Sequence, residues 1–145
     1  FAAAYVARGA LYQAAGRHAA ARADFDRALA LAPEDGDALT HKAVSQCAEG
    51  DFSACEANAE TAIARRPEDW RAHVAKGHAL LGQAEPDAAV RAYGDAVEHA
   101  PEAQSRWLLA RLQKHLRPRL SDRGGFSWAF LAAEGVDEVE TLMDE

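Results

Sequence analysis

The sequence is poor in the features that announce chemistry. It has no glycine-rich phosphate loop followed by lysine, no paired-histidine zinc motif and no nucleophile elbow. His73 and His78 fall on different faces of a helix, and His18, His41, His99 and His115 make no ligand spacing with them, so half-buried or solvent-facing histidines are expected and no metal site. Gly124-Gly125 lacks both a preceding strand and a following lysine and reads as a hinge. These gaps point to a noncatalytic chain without a cofactor. Apolar runs are short: none approaches the roughly 18 residues that a membrane helix needs, and no basic-then-apolar signal segment opens the chain. No stretch alternates as a strand would, which leaves an all-α reading. Clustered positive charge is missing too. A net charge of −7 argues against a nucleic-acid partner, because phosphate neutralisation needs grouped Lys and Arg.

What is present is a period. Pro33, Pro67 and Pro101 stand 34 residues apart, each followed by Glu. Folding the chain onto that spacing gives units 2–35, 36–69 and 70–103, with Gly9, Ala43 and Gly77 in register, then Gly16, Gly50 and Ala84, then Phe25, Ala59 and Tyr93, then Ala28, Ala62 and Ala96. Small residues recur where two helices must approach, and large ones recur where the gap must be filled. Within a unit, apolar residues return at helical spacing, glycine ends the first run, and proline prevents continuation of the second. Each unit predicts a helical hairpin, and stacked hairpins form a quasi-one-dimensional array in which neighbours bury one another's apolar faces.

The residues that carry this pattern resemble the tetratricopeptide repeat family. The first unit has Tyr5, Gly9, Tyr12, Ala21, Phe25 and Pro33 at the family's signature places; the third keeps Gly77, Ala89, Tyr93, Ala96 and Pro101; the second rests mainly on Gly50, Ala62 and Pro67. Arg8, Lys42 and Lys76 depart from it at a place where the family often has leucine. The resemblance implies a right-handed α-solenoid over 2–103 with a capping helix over 104–117, where Trp107 falls at the place of Tyr5. Cys55 stands where the family has alanine. A buried apolar thiol is therefore the expectation for Cys47 and Cys55, with a disulfide across the hairpin as the alternative in an oxidising compartment.

The resemblance also implies where a ligand lies. The first helix of each hairpin lines a concave groove, which places Val6, Ala10 and Gln13, then Asp37, Thr40 and Val44, then Arg71, Val74, His78 and Leu81 along it, beside Ala3 and Cys47 and continued by Leu108 and Leu112. Family members that grip an acidic C-terminus use Lys, Asn and Arg at places occupied here by Val6, Ala10, Thr40, Val44, Val74 and His78, so an apolar peptide or helix is the expected partner. Arg8, Lys42 and Lys76 are expected on the far side, their stems across the neighbouring helix and their charges in water.

Beyond Pro118 the period is lost. The segment 118–145 carries two arginines against seven carboxylates and the aromatic group Phe126, Trp128, Phe130 and Leu131, which is expected to dock as an end cap, in a groove as a self-association contact, or on a further partner. The start at Phe1 suggests an excerpt. Two other readings therefore stand beside the interaction module: an accessory domain of a larger enzyme, or a small chaperone for apolar client segments. The compartment is left open.

Overall fold

Helix ends fall where side chains and backbone supply the partners that an interrupted helix lacks. In the computed structural model, which describes residues 1–109, the helices are α1 (Ala2–Ala14), α2 (His18–Leu31), α3 (Gly36–Ala48), α4 (Phe52–Arg65), α5 (Trp70–Gly82) and α6 (Pro86–His99), and residues 102–109 are also helical. No strand occurs among the described residues, so the fold is all-α. Asp35, Asp51 and Asp69 cap α3, α4 and α5 by accepting backbone N–H bonds from the first turn, and Pro86 occupies the first turn of α6, where a missing N–H costs nothing.

The three hairpin turns are built alike. Arg17 N donates to Tyr12 O at 2.8 Å, Asp51 N to Gln46 O at 2.9 Å and Glu85 N to Leu80 O at 2.9 Å, the bond that closes a helix around a left-handed residue. That residue is Gly16 (φ 76°) or Gly50 (φ 84°) in the first two turns and Ala84 (φ 61°) in the third.

Inside each hairpin the close approach depends on a matched pair of sizes. A Cβ added at Gly9 would lie 2.5 Å from a ring carbon of Phe25, and one at Gly77 would lie 2.7 Å from a ring carbon of Tyr93. The middle hairpin evens out the sizes, with Ala43 and Ala59 both fully buried. The buried side chains form small linked groups along the stack rather than one large core. Leu39, Ala62 and Ala72 make one, Ala43, Cys55, Ala59, Ala75 and Ala79 a second, and Leu80, Ala89, Ala92 and Tyr93 a third.

Two expectations change at this level. Cys47 and Cys55 are not free thiols: they form a disulfide, with Cα atoms 5.3 Å apart, between the last turn of α3 and the first turn of α4. The tight turn at Gly50 brings those ends together, and the alanines around Cys55 let the two helices close. The regular basic row reaches water only in part, because each charge is also paired. Lys42 Nζ meets Asp26 Oδ1 at 2.7 Å and Lys76 Nζ meets Glu60 Oε1 at 3.5 Å, each pair joining a first helix to the second helix of the preceding hairpin. Arg8 instead folds onto its own hairpin. Its Nε and Nη2 grip both oxygens of the fully buried Asp24 at 2.7 Å, and Arg27 Nη1 adds a third contact at 2.7 Å. Hydrogen bonds from Arg8 hold the Asp24 carboxyl below the usual carboxylate range, against the opposing effect of burial.

Candidate functional site

The first helices of the second and third hairpins define a strip whose two ends differ chemically. At the end where α3 and α5 begin, carboxylates and guanidinium groups interlock. Arg66 Nη2 bonds to Asp37 Oδ1, Arg71 Nη2 reaches the same oxygen at 3.4 Å, and Asp69 accepts from the Arg71 backbone N at 3.2 Å. Thr40, 1% exposed, donates Oγ1 to Asp69 Oδ2 at 2.9 Å, so it belongs to this network and not to an open floor. Asp37 bonding keeps Arg66 more firmly protonated than a free guanidinium.

At the other end, where α3 and α5 finish, the surface opens into an apolar pocket of about 550 Å3 lined by Val44, Cys47, Ala48, Phe52, His78, Leu81 and Gly82. Val44 is 37% exposed, Cys47, tied to the buried Cys55, forms part of the wall, and Phe52 lies against Gly82 so closely that a Cβ there would come within 2.4 Å of its ring. His78 stands edge-on to Tyr93, with ring centres 5.6 Å apart. The structure thus brings Val44, His78 and Leu81 of the sequence-derived strip together, with Val74 beside them and half-buried against the Leu80–Tyr93 group.

The remaining positions take different roles. Val6 and Ala10 are half-buried on α1. Gln13 is a clamp between α1 and α3: its Nε2 donates to His41 O and to Ser45 Oγ, both at 2.8 Å, and its Oε1 lies 3.0 Å from His41 Nδ1. Because Nε2 supplies the two donor bonds, Oε1 is the acceptor and His41 carries its proton on Nδ1. Burial, aided by the charge of Arg71, lowers the His41 pKa, consistent with a neutral ring stacked on Phe25 at 5.4 Å. Leu108 is 3% exposed and therefore sealed in the core, which removes it from the floor. Leu112, Phe126, Trp128, Phe130 and Leu131 lie outside the described residues. Phe52 and Gly82 were missed by sequence reasoning. Their signal was a lone aromatic at a helix start and a glycine just before the next turn, two features that only the hairpin stacking relates.

Among the described residues, no group of three His, Cys, Asp or Glu side chains is placed to hold a metal ion, and no helix is long and apolar enough to cross a membrane. What the arrangement offers is shape: a polar, cross-linked end and an open apolar end on one strip.

Residues 2–35 match the tetratricopeptide repeat family. No curated protein matches the sequence. Among solved structures, the chain is similar to the protein MamA, with 26% identity and a TM-score of 0.61 over 68% of this chain; it spans 54% of that chain. It is also similar to the first such domain of Spaghetti (RPAP3) bound to an HSP90 peptide, SRMEEVD, with 18% identity and a TM-score of 0.66 over 77% of this chain and 94% of that one. A third similar structure is the type III secretion translocator chaperone SycD of Yersinia enterocolitica, with 16% identity and a TM-score of 0.74 over 84% of this chain and 94% of that one.

Proposed function

From the match of residues 2–35 to the tetratricopeptide repeat family and the shared fold of the similar structures, we propose that the chain is a noncatalytic interaction module that holds an apolar peptide or helix of a partner protein against its concave strip. The observation that carries this reading is the open pocket bounded by Val44, Phe52, His78 and Leu81. Val44 stays exposed there although burying such a side chain is worth about 1.5–3 kcal/mol. The charged end supports the same orientation of chemistry. Asp37, Asp69, Arg66 and Arg71 are engaged with one another, so their charges are largely balanced before any ligand arrives. The first Spaghetti (RPAP3) domain holds an HSP90 peptide with an acidic sequence, SRMEEVD. Here Val44 and His78 put an apolar wall and an imidazole into the pocket instead of a cluster of cations, which favours an apolar side chain over a carboxylate.

A displayed-peptide library selected on the full chain tests this. The expected peptides are apolar; Val44→Asp weakens them by at least roughly tenfold, the size of one lost apolar anchor. Raising salt to about 0.5 M changes their affinity little, since few exposed charges take part. Selection of acidic peptides whose binding collapses in salt, with Val44→Asp without effect, would refute the reading.

A further inference from the structure

The two sulfur atoms of the Cys47–Cys55 bridge stand in different surroundings. Cys55 is fully buried among Ala43, Ala59, Ala75 and Ala79, whereas Cys47 is half-buried and lines the apolar pocket beside Val44, Ala48 and Phe52. Both sulfur atoms lie 3.5 Å from Ala75 O, so α5 closes the bridge from a third side. The bridge also ties together the two elements that make this wall, since Val44, Cys47 and Ala48 belong to the end of α3 and Phe52 opens α4.

These surroundings fix what opening the bridge does. Unbonded sulfur atoms need more room than bonded ones. Cys55 cannot retreat into packed alanines, and its thiol finds an acceptor, Ala75 O, where it stands. The displacement therefore falls on Cys47, which faces the pocket. The same asymmetry chooses the sulfur that a reductant attacks. Cys47 can be reached from the pocket, and Cys55 leaves as a thiolate in the first turn of α4, near the N-terminal amides that favour negative charge.

We propose that the bridge is a redox gate on the pocket, an inference that rests on the pocket being where an apolar partner binds: the bridged form holds the partner, and opening by a dithiol releases it. One thiolate of the dithiol attacks Cys47 Sγ, and the S–S bond breaks with its electron pair leaving on Cys55 Sγ, which takes up a proton. The second thiolate attacks the dithiol's own sulfur in that mixed disulfide. Cys47 Sγ is expelled and protonated in turn, and the dithiol is left oxidised to a cyclic disulfide. The freed Cys47 side chain moves into the pocket and narrows it. An occupied pocket covers Cys47, so the partner protects the bridge from reduction, and binding and oxidation favour each other.

Two measurements on the full chain test this. Without any ligand, adding dithiothreitol is expected to shift the amide signals of Val44, Ala48, Phe52, His78 and Leu81 while circular dichroism keeps its helical signal. Shifts confined to the turn at Gly50, or loss of the helices, overturn the proposal. An apolar peptide selected on the bridged chain is expected to bind the opened chain at least roughly tenfold more weakly, to regain its affinity on reoxidation, and to show no response to dithiothreitol in Cys55→Ala. The bound peptide is also expected to slow opening several-fold, as followed by alkylation of the freed thiols and mass spectrometry. Equal affinities in the two states, or opening that the peptide does not slow, overturn the gate and leave the pocket as a binding site. Failure to select any apolar peptide sinks the pocket itself as the partner's seat, and the gate with it.

Discussion

The tightest constraint on single residues is the size match inside each hairpin. Gly9 and Gly77 lie under aromatic rings that occupy the space a side chain would need, with the nearest ring carbons 2.5 Å and 2.7 Å from an added Cβ. Phe25 is fully buried and cannot swing aside without opening its own core. Gly9→Ala is therefore expected to destabilise the chain by roughly 1–3 kcal/mol in spite of the better helix propensity of alanine. Urea denaturation of the variant checks this, and an unchanged midpoint would show that the ring relaxes freely. Gly9→Ala combined with Phe25→Ala reproduces the Ala43–Ala59 pairing of the middle hairpin, so the two changes should cost less together than their sum.

Among the elements, the α3–α4 hairpin is the one with a covalent tie. Closing a short loop by a disulfide contributes roughly 2–3 kcal/mol by restricting the unfolded chain. Denaturation with and without a dithiol reductant is expected to show a loss of that order, and coincident curves would remove the bridge from any structural role. The hairpins themselves were legible in the sequence because their signals are local: Pro33, Pro67, Gly16 and Gly50 stop helices by their own backbone properties. The bridge was legible only as the alternative to two free thiols, because the family pattern gives Cys55 as a substitute for alanine and says nothing of the 5.3 Å that separates its Cα from that of Cys47. The strip was partly legible. Val44, His78 and Leu81 follow from register alone, whereas Thr40 is withdrawn by Asp69, 29 residues away, and Leu108 by packing at the last described seam. Register assigns a direction to a side chain, and long-range partners then decide whether the chain exposes it.

Across the whole molecule, stability is expected to be graded along the stack, since each hairpin is supported only by its neighbours. α3 is enclosed by α2, α4 and α5, with the Gln13 clamp to α1 added, while Ala4, Ala7 and Leu11 of α1 are exposed. Amide exchange in α1 should be at least about fivefold faster than in α3, because fewer contacts must break to open it. Equal protection throughout would mean that the chain opens as one unit. The matching of glycine to aromatic and alanine to alanine has a longer-term consequence. Because the sizes in the middle hairpin agree with each other and not with those of its two neighbours, gene duplication or recombination with breakpoints between hairpins transfers a self-consistent part. A breakpoint in the turn at Gly16 or Gly50 would instead marry a helix to a stranger's partner.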